Sequence, residues 1–469
     1  MAADTKSAEK ALSINLKGEK HGTFAEIGAG QEVARWFFHA GKASATVAKS
    51  ISAYDMAISD SLYGPAEHYV SRPRLAAMLD REFSQLTAQL DAIRGERSAF
   101  FVFADTVATH GSSRGSGGHG WLGIRFQDRP RTPPSEIILH IEMDDILTAS
   151  RQEAVGLVGV NLIYGAFMSH QEPETLIRSL MDGIDRRRVE IDMIKFSGPL
   201  FTGVDNRLMS LQLVVQGLTD AAMFTAAGEV VQPSEVLYGK PVVIERGSFR
   251  PVTNVTMAML DCALRQLNRD AGKAADDPAV IMEMTLNNLM SGQSIDHRDF
   301  LARADILGAL GKMVLISSQT RFDTVTTYLR QYTGNWIAFV VGVPTLRAIF
   351  DEQYYRDLHG GILEGLGRLF QGRVKLFAYP TLSSAAGELE SAGTIDIGAR
   401  LKHLYAYLWE NGLIEAVRDF DIEQLHVSPG AVLKKLQSGD PSWSQFVPDA
   451  AAALIRKNGL FGYPRVLVG

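Results

Sequence analysis

The chain has 469 residues, a formal net charge of −6 and a hydrophobic fraction of 46%. These values exclude large-scale disorder and predict two or three globular domains. The slightly negative charge argues against a protein that binds nucleic acid. Because Cys262 is the single cysteine, the chain cannot form an internal disulfide, and a chain of this length can bury a large apolar core without one.

The N-terminal segment and the longest apolar stretch predict a cytoplasmic protein without a membrane span. The first twenty residues carry four lysines among polar residues and lack the apolar run of a secretory signal. The longest apolar stretch, Ala154 to Met168, is shorter than a membrane helix and is interrupted by glycines. We therefore interpret this stretch as a buried helix whose glycines allow close backbone packing.

Residues 1–185 form the first predicted domain, of α+β type. Residues 23–95 show a helical pattern, clearest in Arg72–Arg94, where apolar residues recur every three or four positions. The next segment is rich in aromatic and β-branched residues and predicts strands at Ala99–Ala108, Trp121–Phe126 and Glu136–Met143. Their short spacing favours an antiparallel meander, because parallel strands need longer crossovers.

A glycine-rich loop, Thr109–Gly120, joins the first two of these strands. It contains His110, Arg114 and His119, and it could close over an anionic ligand as a mobile lid. No Gly-Lys-Ser/Thr follows it, which excludes a phosphate-binding P-loop. Its composition favours the alternative of a solvated hairpin loop, and we predict that it is exposed.

Residues 186–380 form the second predicted domain, in which strand-like and helix-like segments alternate. Such alternation implies parallel strands joined by helical crossovers, so we predict an α/β fold with a Rossmann-like, doubly wound and mostly parallel sheet. The predicted strands are Val189–Phe196, Ala221–Thr225, Val242–Arg246, Val280–Thr285, Met313–Ser317, Ala338–Val343 and Val374–Tyr379. The predicted helices between them are Asn206–Gln216, Val255–Leu267, Asp299–Leu310, Thr324–Gln331, Leu346–Tyr355 and Gly361–Phe370.

Residues 381–469 are predicted to form a helical C-terminal extension. The helical segments are Ile397–Asn411, Pro429–Gln437 and Pro448–Lys457. Such an extension could pack on the preceding domain, cover a ligand or join subunits of a homo-oligomer. The sequence leaves these three alternatives open.

The segment from Pro241 to Leu267 is the most informative for function. A predicted strand runs into Gly247-Ser248-Phe249, and a helix follows. In a doubly wound sheet, ligands lie beyond the carboxyl ends of the strands. The helix N-terminus there offers free N–H groups and the positive end of the helix dipole, which suit a phosphate group. The alternative is a plain strand-to-helix turn in which Ser248 or Thr253 caps the helix.

This segment resembles the nucleotide-binding turn of the nicotinate-nucleotide and phosphopantetheine adenylyltransferases, in which Gly-Ser-Phe-Asp-Pro leads into Val-Thr-Asn-Gly-His. Residues 247–249 and 251–254 match that pattern, and residues 316–321 (ISSQTR) are similar to a shortened form of a later Ser-Ser-Thr-x-x-Arg motif. The resemblance implies a nucleotidyltransferase-like fold that binds a nucleotide or another small phosphorylated ligand. The site residues that it implies are Gly247, Ser248, Phe249, Arg250, Thr253, Asn254, Ser317, Ser318 and Arg321.

Three positions depart from the family pattern and put catalysis in doubt. Arg250 replaces an acidic residue, Val255 replaces the glycine that lets phosphate approach, and Thr256 replaces the histidine that stabilises the transferring phosphate. If the protein is an enzyme, the resemblance implies a transferase with a degenerate motif, and its catalytic residues stay unassigned. The cofactor stays unassigned, and a nucleotide and a divalent cation are both candidates. If the positive charge for a transferring phosphate comes from the protein itself, Arg250 and Arg321 are the candidate residues.

Two other functions remain as alternatives. The first is a non-catalytic sensor or assembly protein that retains the fold but has lost the catalytic histidine. The second is a nicotinamide-dependent oxidoreductase, which is disfavoured because no Gly-x-Gly-x-x-Gly follows the early strands of the predicted sheet.

A candidate metal site is also visible in the third predicted strand. His140, Glu142 and Asp144 alternate along it, so their side chains should project from one face. With His110 or His119 they could bind a divalent cation. Alternating polar residues are, however, more typical of the solvated face of an antiparallel sheet, so we assign no metal site.

Three further features have ordinary structural interpretations. Residues 26–32 (EIGAGQE) lack the third glycine of a dinucleotide fingerprint and predict a helix entry with acidic residues near the positive dipole end. The run Arg186–Arg188 predicts a solvated turn between domains rather than a phosphate site. Cys262 lies in an apolar helical stretch, which predicts a buried thiol.

Overall fold

The chain divides into two compact units, residues 1–220 and 221–469. The computed structural model describes residues 2–109, 117–145, 147–272, 276–382 and 387–464. Each unit combines a central sheet with helices, so the protein is of mixed α/β class. The observed division falls after Asp220, whereas the sequence places a boundary at residue 185 and a separate extension after residue 380.

The first unit contains a six-stranded sheet. Its strands are β1 (Lys20–Ile27), β2 (Val47–Ile51), β3 (Ala99–Ala108), β4 (Gly118–Phe126), β5 (Ser135–Met143) and β6 (Val189–Ser197). They lie in the order β2-β1-β3-β4-β5-β6, in which β1 is parallel to both of its neighbours. The run from β3 to β6 is antiparallel, which confirms the predicted meander and adds a fourth strand to it.

Three strands of this sheet, β1, β2 and β6, correct the sequence predictions. The helical interpretation of residues 23–95 is wrong for β1 and β2; β1 is buried along nearly its whole length and therefore shows no alternation. β6 was predicted to be a parallel strand of the second domain, but it pairs antiparallel with β5. The helical segment between β5 and β6 is long enough for a parallel crossover, so spacing alone could not distinguish the two arrangements.

The loop after β3 ends earlier than the predicted range, Thr109–Gly120. β4 begins at Gly118, so His119 belongs to a strand and is half-buried. Residues 110–116, including His110 and Arg114, lie outside the described residues, and their predicted exposure stays a prediction.

Helices cover both faces of the first sheet. They are α1 (Ala2–Asn15), α2 (Glu32–Ala40), α3 (Met56–Tyr63), α4 (Arg72–Arg94), α5 (Thr148–Met168), α6 (Pro173–Ser179) and α7 (Asn206–Val215). The main core of this unit joins one sheet face to α1, α2, α5, α6 and α7, and α4 packs on the other face with Leu75 and Leu79 against Gly123. As predicted, a glycine of α5 allows close packing, because a β-carbon at Gly159 would overlap Val33 of α2.

The second unit contains an eight-stranded sheet and two small hairpins. The strands are β7 (Ala221–Phe224), β8 (Val230–Val231), β9 (Val242–Arg246), β10 (Ala279–Thr285), β11 (Met290–Ser291), β12 (Ser294–Ile295), β13 (Met313–Ser317), β14 (Ile337–Gly342), β15 (Val374–Tyr379), β16 (Thr381–Leu382), β17 (Leu389–Glu390) and β18 (Ile414–Ala416). The large sheet has the order β18-β15-β14-β9-β10-β13-β7-β8.

Six neighbouring strands of this sheet, from β18 to β13, are parallel, as the alternation of strands and helices predicts. β9, β13 and β14 belong to one sheet, as predicted for Val242–Arg246, Met313–Ser317 and Ala338–Val343. Two expectations are wrong. Ala221–Phe224 (β7) pairs antiparallel with β13, and the C-terminal segment is not wholly helical because β18 joins the sheet beside β15. β18 has three residues, too few for a periodic pattern.

The helices of the second unit connect and cover these strands. They are α8 (Pro233–Leu237), α9 (Asn254–Ala271), α10 (Leu286–Leu289), α11 (His297–Ala309), α12 (Phe322–Arg330), α13 (Val343–Ile349), α14 (Gly361–Leu369), α15 (Lys402–Glu410), α16 (Pro429–Gln437) and α17 (Asp449–Asn458). Within the described part of the chain, no helix is both long and apolar enough to cross a membrane.

Candidate functional site

The turn singled out by the sequence lies at the carboxyl end of β9. Arg246 is the last residue of this strand, and Ser248 of the turn is exposed. Phe249 is buried and adopts a φ of 50°. A β-carbon at Gly247 would come within 2.8 Å of a ring carbon of Phe249. Gly247 therefore has a packing role, since Phe249 occupies the space beneath the turn.

The turn leads directly into α9. Thr253 caps this helix and is fully buried, and its hydroxyl accepts a hydrogen bond from the Thr256 amide at 3.4 Å. The side chain of Asn254 donates to the carbonyl of Gln445 at 3.0 Å. The structure thus shows the capping role that the sequence offered as an alternative. The amides of Asn254 and Val255 lie in the first turn of the helix, where N–H groups have no intrahelical acceptor.

A polar network centred on the Arg246–Glu283 ion pair connects the two segments that resemble family motifs. The Arg246 guanidinium donates from Nε and Nη2 to the two carboxylate oxygens of Glu283, each at 2.9 Å. The Ser317 hydroxyl donates to the same carboxylate at 2.6 Å, and Arg246 Nη1 donates to the Thr320 carbonyl at 2.8 Å. The ends of β9, β10 and β13 are therefore joined by one polar network, which is buried at Glu283 and Ser317.

The two arginines expected to supply positive charge to a ligand are both paired with carboxylates. Arg250 Nε donates to Asp299 Oδ1 at 2.5 Å. Arg321 pairs with Asp323 at 3.0 Å and with Asp357 at 2.7 Å. Ser318 is exposed near the start of this second segment. A ligand at this edge would therefore have to compete with existing ion pairs for either guanidinium.

Sequence reasoning missed several residues of this site. Arg303 donates to Asp299 and also to the carbonyl of Ser248 at 3.0 Å, so it holds the turn from α11. Glu283 lies within an apolar strand, and a charged residue in such a strand is the signal that could have revealed it. Its partner Arg246 could not have been identified, because the pairing depends on the order of strands in the sheet.

A second polar cluster lies in the first unit and is called here the histidine–carboxylate cluster: His119, His140, Glu142 and Asp192. His140 Nδ1 lies 2.7 Å from Asp192 Oδ1, and His140 Nε2 lies 3.4 Å from His119 Nδ1. Potential ligand atoms of His140, Glu142 and Asp192 all lie within 4.8 Å of one another. This set differs from the one considered from sequence, since Asp144 is exposed beyond the end of β5.

The strands explain why these side chains meet. His119 and Glu142 are ladder partners on β4 and β5, and His140 shares the face of Glu142 by alternation. The pairing of β5 with β6 shifts register between His140 and Ile141, where Asp192 is the extra residue of a bulge. Because a bulge redirects side chains, Asp192 lies beside His140 although Met193 is the ladder partner.

Burial dominates the electrostatics of this cluster. It lowers the pKa of His119 to about 4, with a further contribution from His140. It raises the pKa of Glu142 to about 8; Asp192 and Glu190 add to this effect, and His140 opposes it. Burial also raises the pKa of Glu190, opposed by a hydrogen bond from the Thr219 hydroxyl. Several carboxyl groups thus share a poorly solvated space that would favour a cation.

The remaining sequence features have structural roles. The carboxylate of Glu26 accepts hydrogen bonds from the amides of Val33 and Ala34 at the start of α2, so the predicted helix entry is observed. The helical interpretation of residues 23–95 is wrong at this point, because Glu26 lies in β1. Cys262 is buried in α9, as predicted, and burial raises the pKa of its thiol.

The arginine run 186–188 forms ion pairs within the first unit. Arg186 pairs with Asp220, and Arg187 pairs with Asp185. Arg188 donates to Asp145 and Glu153. These pairs favour the structural interpretation of the run over a phosphate site.

Comparisons with known proteins add little to this mixed α/β architecture. No family model matches the chain, and no curated protein sequence matches it. Among solved structures, it is similar to the competence/damage inducible protein CihA from Agrobacterium tumefaciens, at 16% sequence identity. The match covers 34% of this chain and 93% of that one, with a TM-score of 0.27. A TM-score this low does not indicate a shared fold or function.

Proposed function

We propose that the second unit binds a nucleotide or another small phosphate-bearing ligand at residues 247–254. The observation that carries this proposal is the order of its parallel strands. Numbered by their sequence among the parallel strands, β13-β10-β9-β14-β15-β18 follow the order 3-2-1-4-5-6. This is the order of Rossmann-like, doubly wound sheets, which bind ligands where the strand order reverses. The reversal here lies between β9 and β14.

The turn at residues 247–254 leaves β9 at this reversal point. Gly342, the last residue of β14, is next to it in the sheet, because Val340 pairs with Glu245. In doubly wound folds, the helices that follow two such strands diverge and leave a crevice. The first-turn amides of α9 and the positive end of its dipole favour an anion there.

The same geometry supports binding more strongly than catalysis. Thr256 replaces the histidine of the similar motif, and a hydroxyl cannot supply positive charge to a transferring phosphate. Arg246, Arg250 and Arg321 are all held by carboxylates. We therefore propose a nucleotide-binding protein of nucleotidyltransferase-like fold whose adenylyltransferase activity is weak or absent. A sensor or assembly role is consistent with such binding.

A thermal-shift screen with ATP, NAD and phosphopantetheine tests this proposal. A ligand present at 100 times its dissociation constant should stabilise the protein by about 2.7 kcal/mol. Val255→Glu should abolish the shift, because its carboxylate lies beside the first-turn amides and repels an anionic ligand. The substitution should not unfold the protein, since a negative charge at a helix N-terminus stabilises the helix. Val255→Gln, of equal size and without charge, is the matched control and should retain most of the shift.

Two results would contradict the proposal. If Val255→Glu and the wild type are stabilised equally, the ligand binds elsewhere. If none of the compounds stabilises the wild type, the site does not bind this class of ligand. Robust release of pyrophosphate from ATP would support binding but would overturn the expectation of weak catalysis. Substitution of Gly247 is a poor test, because a side chain there would displace Phe249.

A further inference from the structure

We propose that the histidine–carboxylate cluster binds a divalent transition-metal ion, with Zn²⁺ as the first candidate, through His119, His140 and Glu142. The observation that carries this inference is the approach of His119 Nδ1 to His140 Nε2 at 3.4 Å. This distance is long for a hydrogen bond. Two nitrogens bound to one tetrahedral zinc ion at about 2.0–2.1 Å lie about 3.3 Å apart. The two imidazoles therefore stand at the spacing of ligands that share an ion.

Asp192 acts as a positioning residue in this site. His140 Nδ1 lies 2.7 Å from Asp192 Oδ1, and a proton on Nδ1 that is donated to this carboxylate leaves the lone pair on Nε2. Nε2 is the atom that faces His119. The ring centroids of Trp121 and His140 lie 4.8 Å apart, and this packing restricts rotation of the His140 imidazole. A carboxylate that orients a metal-binding histidine in this way is a common feature of zinc sites.

Glu142 supplies the third ligand and a negative charge. It is the ladder partner of His119, and its carboxylate lies within 4.8 Å of ligand atoms of His140 and Asp192. Asp192 is buried, and Glu142 and Glu190 are half-buried; such removal of carboxylates from water is costly unless a cation or hydrogen-bond donors lie nearby. His119 and Glu142 are only half-buried, so an ion could enter from that side. Three protein ligands leave a fourth position for water or another ligand.

Cobalt titration of the full chain tests the site. The protein is purified without a polyhistidine tag, stripped with a chelator and titrated with Co²⁺, whose visible absorption reports coordination geometry. We expect one equivalent of Co²⁺ to give a tetrahedral spectrum that Zn²⁺ abolishes. His119→Gln and His140→Gln should each weaken binding by about 100-fold or more, since loss of a ligand should cost at least as much as loss of the partner that orients it. Asp144→Asn is the matched control, because this neighbouring carboxylate is exposed and should not affect binding.

The orienting role of Asp192 has a separate readout. Asp192→Asn should weaken metal binding by about 10–100-fold and shift the Co²⁺ bands while one equivalent still binds. Circular dichroism and thermal unfolding of each metal-free variant show whether it has folded. If His140→Gln does not fold, the His119→Gln variant tests the site by itself, because the side chain of His119 is partly exposed and its replacement should be tolerated. Failure of the folded wild type to bind Co²⁺ or Zn²⁺, or unchanged binding by His119→Gln, would show that the two histidines only hydrogen-bond to each other.

Discussion

Glu283 is a buried carboxylate whose side-chain hydrogen-bond partners, Arg246 and Ser317, lie at the carboxyl edge of the second sheet. It accepts two hydrogen bonds from Arg246 and one from Ser317, and its side chain is inaccessible to solvent. Replacing one partner of a buried ion pair leaves the other charge without compensation. The stability of this edge should therefore depend on Glu283 more than on the exposed acids around it.

We predict that Glu283→Gln destabilises the second unit by about 3 kcal/mol, because the Arg246 guanidinium loses its buried counter-charge. The measurement is denaturant unfolding followed by circular dichroism. Asp357→Asn is the control, since Asp357 pairs with Arg321 at the surface and surface pairs contribute little. Equal effects of the two substitutions would mean that burial of the Arg246 pair does not matter.

A second pair of buried acids lies in the first unit. Asp105 and Glu26 are ladder partners on β3 and β1. Burial raises the pKa of Asp105 well above its ordinary 3.8, and the nearby Glu26 adds to the rise. Burial likewise raises the pKa of Glu26 to about 7. Asp105 Oδ1 accepts from the Ile27 amide at 3.1 Å, and Oδ2 has no partner among the described residues.

We predict that Asp105→Asn stabilises the protein at pH 7 and has little effect at pH 4. A raised folded-state pKa means that the unfolded chain releases its proton first, so the wild type loses stability as pH rises above about 4. The loss is about 1.4 kcal/mol per pH unit until the folded-state pKa is reached. Asparagine does not titrate, so the variant avoids this loss of stability. Melting temperatures at several pH values measure the difference, and exposed Glu96→Gln is the control.

At the residue scale, the sequence predicts roles that depend on neighbours in the chain. The Thr253 cap and the burial of Cys262 follow from local patterns. The pairs Arg246–Glu283 and His140–Asp192 join residues on different strands, and the second also requires a bulge. Such contacts depend on strand order and register, which a single sequence does not contain.

At the scale of elements, the connection between β1 and α2 depends on a glycine whose role comes from a neighbouring strand, which the local sequence does not reveal. Gly28 adopts a φ of 102°, and a β-carbon there would overlap the backbone carbonyl oxygen of Val107 in the neighbouring strand. Gly41, after α2, has a φ of 83° and open space around the position of its β-carbon. The two glycines therefore both have a positive φ and differ in the space available to a side chain.

We predict that Gly28→Ala destabilises the first unit by at least about 3 kcal/mol, since backbone atoms cannot move aside as side chains do. Gly41→Ala should cost less, about 2 kcal/mol, because only the strained backbone conformation (φ 83°, ψ 166°) opposes a side chain there. Urea unfolding of the two variants gives both values. Similar losses would imply that β1 and β3 shift apart at little cost.

Whether an element could be predicted depended on its length and its burial. The meander from β3 to β5 shows strong β-branched and aromatic patterns and was predicted, as were the long amphipathic helices such as α4. β1 was missed because a strand buried on both faces carries no alternation, and β18 because it is short. The orientation of β6 was missed because a helical crossover precedes antiparallel strands as well.

At the scale of the whole molecule, alternating strands and helices predict a parallel sheet but not the order of its strands. The chain adds β10 and β13 on one side of β9 and then β14, β15 and β18 on the other. Only this order identifies the end of β9 as a reversal point. The position of the candidate ligand site therefore follows from topology, although the residues of its turn were visible in the sequence.

The two units have separate sheets and separate hydrophobic cores, one formed by residues up to Leu218 and the other beginning at Ala221. We predict that residues 1–220 and residues 221–469, expressed separately, each fold and unfold cooperatively, because a unit with its own core does not need the other to bury its apolar side chains. Thermal unfolding followed by circular dichroism is the measurement. The second fragment should keep the nucleotide-induced shift, and the first should keep Co²⁺ binding, with affinities within about threefold of the full chain. Aggregation or non-cooperative melting of either fragment would show that its sheet is stable only in the intact protein.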